Sequence, residues 1–127
     1  MFLVIFWGLL LFSHLAADTP WQKLEGPYGG VISSLAIDQS NQLYAIFDQT
    51  LSTSTDNGKT WSSILNNGEA FKIGQDGKLY AESLGRKIYI SDDKGASWIG
   101  LPLTINGLRL DRMAIAPDGT LYFAANE

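Results

Sequence analysis

The sequence predicts an all-β chain made of repeated, four-stranded antiparallel units, and two observations carry that prediction. Ser54-Thr-Asp56-Asn-Gly58-Lys-Thr-Trp61 and Ser91-Asp-Asp93-Lys-Gly95-Ala-Ser-Trp98 share the pattern Ser-x-Asp-x-Gly-x-x-Trp, 37 residues apart. Independently, Ile37, Ile73 and Ile115 each stand six residues before a Leu-Tyr pair, Leu43-Tyr44, Leu79-Tyr80 and Leu121-Tyr122. Between them lie Ser40-Asn41, Asp76-Gly77 and Asp118-Gly119, which is hairpin-turn chemistry. A self-similar period of this length belongs to repeat architectures.

The repeated octapeptide has the make-up of a tight hairpin. Gly58 and Gly95 supply the positive φ such a turn demands, and Asp56 and Asp93 accept hydrogen bonds from turn amides left unpaired by the reversal. Ser54 and Ser91 are lesser clips of the same kind. Trp61 and Trp98, on the returning strand, offer a large ring to anchor the hairpin to its neighbours. The motif resembles the Asp box (BNR repeat) of β-propellers such as sialidases, xyloglucan-cleaving glycosidases, sortilin-like receptors and photosystem assembly factors. That resemblance implies a partial β-propeller of four-stranded antiparallel blades, with the Asp boxes away from any active site.

Taken in order, the chain opens with an unbroken apolar run, Phe2 to Phe12, followed by Ser13-His14-Leu15-Ala16-Ala17 and the polar Asp18. Residues 1–17 read as a secretory signal peptide. As a helix the run would reach about 16 Å against a hydrocarbon core of about 30 Å, too short for a stable membrane span. No Lys or Arg precedes it and Leu15 stands where a small residue is preferred, so an uncleaved anchor or a buried first strand is the alternative. Residues 18–127 then divide into blade pieces at about 18–30, 31–65, 69–103 and 108–127. The first, with Trp21, reads as a returning strand followed by the loop Gly26-Pro27-Tyr28-Gly29-Gly30. Each full unit runs strand, turn, strand with Leu-Tyr, third strand, Asp box and fourth strand with Trp, and the last piece stops before a third box. A closed ring needs four to eight blades, so the expectation is either a piece of a longer protein or, if the chain is complete, a homo-oligomer of about three copies.

Composition narrows the chemistry. His14 is the sole histidine and lies in the leader, and there is no cysteine. The mature chain is therefore expected to lack histidine bases, Ser-His-Asp or Cys-His nucleophile systems, disulfides, zinc sites of the His/Cys type and haem attachment. A formal charge of −4 and a pI near 4.8 leave no basic patch for nucleic acid. Asp92-Asp93-Lys94-Gly95 lacks the alternating oxygen ligands of an EF-hand and is read as part of the Asp box. No metal and no cofactor are expected.

By the same resemblance, sialidase catalysis needs an arginine cluster, a tyrosine nucleophile with an acidic partner and an acid/base aspartate. Arg86, Arg109 and Arg112 do not stand in the Phe-Arg-Ile-Pro arrangement, so no catalytic residue is assigned. Among Asp38, Asp48, Glu69, Glu82 and Asp111, spacing selects no glycosidase pair. Tyr44, Tyr80 and Tyr122 read as strand-packing residues, and Tyr28, in its glycine-rich loop, is the candidate ligand contact. The expectation is a secreted or periplasmic, non-catalytic propeller segment that binds a carbohydrate or protein ligand or serves as a scaffold. The alternative is the N-terminal part of a sialidase-like or xyloglucanase-like hydrolase whose catalytic residues lie beyond residue 127.

Overall fold

A computed structural model describes residues 30–102 and 110–124. The leader at 1–17, Trp21, Tyr28 and Arg109 lie outside these residues. The described chain is all-β. A first sheet has β1 (Ile32–Ile37), β2 (Leu43–Phe47), β3 (Thr50–Ser54) and β4 (Ser62–Asn66) in sequential antiparallel order. A second repeats it with β5 (Gly68–Ile73), β6 (Leu79–Ser83), β7 (Lys87–Ser91) and β8 (Ile99–Gly100). After a single 3-10 turn, Leu110–Arg112, the strands β9 (Met113–Ile115) and β10 (Leu121–Phe123) pair as a third, two-stranded sheet. The sheets do not close into a ring among the described residues.

Local chemistry sets the register. Ile37 pairs with Leu43, Ile73 with Leu79 and Ile115 with Leu121, each closing a five-residue turn. In all three the first turn residue donates its amide to the fifth, as in Asp38 N to Gln42 O at 3.0 Å, and the fourth donates back to the first. That fourth residue, Asn41, Gly77 or Gly119, has positive φ in every case, which suits only Gly and Asn well. The fourth strand of the second sheet is only two residues long, its ladder formed by Ile99 and Gly100.

Strand alternation then builds two seams between the sheets. Tyr44 and Ile46 of β2 and Leu51 of β3 face Phe71, Leu79 and Ala81 of the second sheet, all buried. One residue along, Tyr80 and Ile88 face the other way and form the second seam with Leu110 and Met113. Every residue of β6 is consequently buried, because this strand packs on both faces. Burying a side chain such as Leu51 or Leu79 completely contributes about 1.5–3 kcal/mol.

Candidate functional site

The meander gives the stack two unlike ends. At one lie the first turns of each unit and the Ser-x-Asp-x-Gly-x-x-Trp hairpins. At the other lie the β2–β3 and β6–β7 turns and the link from β4 to β5.

At the hairpin end, the eight motif residues form two turns with the same bonding. Ser54 Oγ donates to Asp56 Oδ1 at 2.8 Å and accepts from the Gly58 amide at 2.9 Å. Thr60 gives its amide to Asp56 Oδ1 and its hydroxyl to Oδ2, at 2.8 and 2.6 Å. Ser91, Asp93, Gly95 and Ser97 repeat this set within about 0.1 Å. The hydroxyl and amide of Thr60 or Ser97, then the Ser54 or Ser91 hydroxyl, hold the two carboxyl groups down at about 2. Each carboxylate accepts three hydrogen bonds inside its own turn, two on Oδ1 and one on Oδ2, the bonding of a turn clip.

The two tryptophans differ. Trp61 donates its indole N–H to Gly58 O in its own turn, 3.0 Å, whereas Trp98 reaches across the first seam to Ile64 O on β4, 2.9 Å. Gly95 makes room for that docking, since a Cβ there would sit 2.5 Å from Ile64 Cδ1. Lys94 crosses the same seam, its Nζ donating to Ser40 Oγ at 2.6 Å and lying 3.6 Å from Asp38 Oδ2. Desolvation raises the Asp38 pKa, but the Ser40 hydroxyl, the Gln42 and Ser40 amides and Lys94 together bring it below the usual value. Burial, with Asp38 adding its charge and a hydrogen bond, pushes Tyr44 up to about 12.

At the opposite end a cleft of about 440 Å³ opens between the first and second sheets. Ser33, Gln49, Glu69 and Arg86 form its polar rim, Ile46 its apolar floor, and Gly68 and Gly85 its close backbone walls. Gly68 lies three residues before Phe71, and the residue three before Met113, the counterpart of Phe71, is Leu110. Leu110 is fully buried in the second seam, whereas Gly68 brings no side chain to the edge of the cleft. The amides correspond as well: Gly68 N donates to Gln49 O at 2.8 Å, and Leu110 N to the buried Glu82 Oε2 at 2.7 Å. Glu82 occupies the β6 position that Ile46 holds on β2.

One inserted residue shapes the rim. The β2–β3 turn is the pair Asp48-Gln49, both at positive φ, whereas β6–β7 uses Leu84-Gly85-Arg86. For this reason the first two Leu-Tyr pairs lie 36 residues apart and the two hairpins 37. The longer turn brings Gly85 and Arg86 to the cleft.

Of the acids considered from sequence, Glu69 lies in the cleft, Asp48 in the β2–β3 turn, Asp38 in the first turn of the first sheet, and Glu82 clasps Leu110. The Asp111 side chain lies outside what is described. No cluster of three His, Cys, Asp or Glu side chains able to hold a metal occurs among the described residues. Gly68 and the Glu69–Arg86 rim had no signal in sequence spacing; only the packing of the first sheet against the second brings them together.

No family model matches the chain. It is 28% identical over 78 residues to an uncharacterized membrane glycoprotein of Saccharomyces cerevisiae, a match covering 56% of this chain and 18% of that protein. No helix among the described residues is long and apolar enough to cross a membrane.

Proposed function

We propose that this chain is a segment of a secreted Asp-box β-propeller that binds a ligand rather than transforming one, and that the ligand is a carbohydrate held in the cleft beside Gly68. The cleft is the observation that carries this reading. Its volume lies in the range of small-ligand sites. Its rim alternates an acceptor, Glu69, a fixed donor fork, Arg86, and two groups that do both, Gln49 and Ser33. Hydroxyl groups, each donor and acceptor at once, match such a rim, and the Ile46 floor with its glycine walls suits the C–H face of a sugar ring. The two hairpin carboxylates, tied to their own turns and held at about 2, favour binding over acid–base chemistry at that end. Similarity to a protein named a membrane glycoprotein favours the secretory route.

The test is titration of the full chain with neutral and acidic mono- and disaccharides, followed by amide NMR. Shifts confined to residues 33, 49, 68–69 and 85–86 are expected. Arg86→Ala should weaken binding about 10- to 100-fold, the loss of a charge-assisted hydrogen bond. Gly68→Leu should weaken it by crowding the edge of the cleft; a Cβ there meets Leu51 Cβ at an ordinary 3.5 Å, and unchanged circular dichroism checks that the longer side chain leaves the fold intact. Undiminished saccharide binding by Gly68→Leu would remove the cleft as the site. Silence toward saccharides with capture of a protein partner at the same residues would transfer the site to a protein ligand.

A further inference from the structure

The two seams repeat one contact in one register, and the same rule selects one further residue at each end of the stack. In the first seam Tyr44 lies against Phe71, ring centroids 6.4 Å apart. In the second, Tyr80 shares a buried cluster with Met113. The tyrosine always follows the leucine that opens a second strand. Its partner always stands two residues before the isoleucine that ends the next unit's first strand, as Phe71 before Ile73 and Met113 before Ile115. The next tyrosine in this series is Tyr122, and the preceding partner is Leu35, two residues before Ile37.

Both positions are open. Tyr122 is 62% exposed, Leu35 51% and Ile37 57%. Alternation places them on outward faces. Leu121 and Phe123 pack on the second seam, so Tyr122 between them points away from it; Ala36 packs on the first seam, so Leu35 and Ile37 point away from that one. Among the described residues the stack therefore presents half of its own seam at one end and the complementary half at the other. We propose that these faces recognise each other on separate copies, Leu35 of one copy seating against Tyr122 of the next as Phe71 seats against Tyr44. At one position the face is less polar than the second seam: where Lys72 bonds Met113 O, the corresponding residue beside Tyr122 is Ala114. The contact is heterologous, each copy using two different surfaces, and such contacts propagate into rings or rows.

Sedimentation velocity and light scattering on the full chain test this, using Tyr122→Glu and Leu35→Glu. Both residues are exposed, and unchanged circular dichroism checks that each variant folds. The unaltered chain should associate with rising concentration, and each variant alone should remain monomeric. A one-to-one mixture should form a heterodimer and grow no further, because one good pair of faces remains and the two outer faces each carry a glutamate. Three results would overturn the proposal: an unaltered chain that stays monomeric at about 1 mM, a Leu35→Glu chain that still self-associates, or a mixture that stays monomeric.

Discussion

Ser54, Asp56 and Thr60, with their counterparts Ser91, Asp93 and Ser97, close their turns by bonding to one another and to the backbone, and this gives the fold a predictable acid sensitivity. The Asp56 and Asp93 carboxyls sit at about 2 in the folded chain, below the roughly 3.9 of an unfolded aspartate. Their stabilisation is thus complete above the unfolded value and lost as pH falls through the folded one. The midpoint of thermal unfolding should drop between pH 4 and 2, and Asp56→Asn with Asp93→Asn should make that drop shallower; a drop of unchanged slope would refute the clip role. Gly95 and Gly77 separate two costs. Both have positive φ, but only Gly95 faces Ile64, while nothing lies within 4 Å of a Cβ at Gly77. Gly77→Ala should cost only backbone strain, about 1–2 kcal/mol, and Gly95→Ala roughly 1–3 kcal/mol more through overpacking, as read from urea unfolding. The positive φ at Gly58 and Gly95 was legible from the octapeptide. That Asn57 and Lys94 before them also adopt it was not, because a lysine gives no sign of a left-handed conformation.

Turn lengths decide what each strand pair presents. Removing Leu84 would leave Gly85-Arg86, at φ 83° and 60°, as a two-residue turn like Asp48-Gln49. The Ser83–Lys87 pairing should survive, with stability changed by no more than about 1 kcal/mol, since short turns with both residues at positive φ suit hairpin twist. Urea unfolding with amide NMR of β6 and β7 checks this; a shifted register would mean that the third residue sets the pairing. The strands and their first turns were readable because Ile, Leu-Tyr and the intervening turn residues act on near neighbours. The path of Trp98 was not, since Trp61 and Trp98 stand in the same motif and only packing sends one indole to Ile64. The cleft was hidden for a related reason: its lining comes from strands and turns of both sheets that only packing brings together.

Across the stack, the two seams are unequal among the described residues. The first buries Tyr44, Ile46, Leu51, Phe71, Leu79 and Ala81 and adds the ties from Trp98 and Lys94. The second buries Tyr80, Ile88, Leu110 and Met113, and relies on Lys72 to Met113 O and Leu110 N to Glu82. Where stability is a sum of units and neighbour contacts, the unit behind the weaker seam opens first. Glu82 is the point at which to test this. Glu82→Ala leaves the Leu110 amide buried without its acceptor, at a cost of about 1–3 kcal/mol, and that cost falls on the third sheet because Ile46 holds the corresponding place in the first seam. Hydrogen exchange should therefore quicken in β9 and β10 while β1 to β4 keep their protection. Glu82→Gln, which retains a side-chain oxygen for the amide, should move the third sheet much less. Equal acceleration in all three sheets would mean that the stack opens as one cooperative body, with no boundary at the second seam.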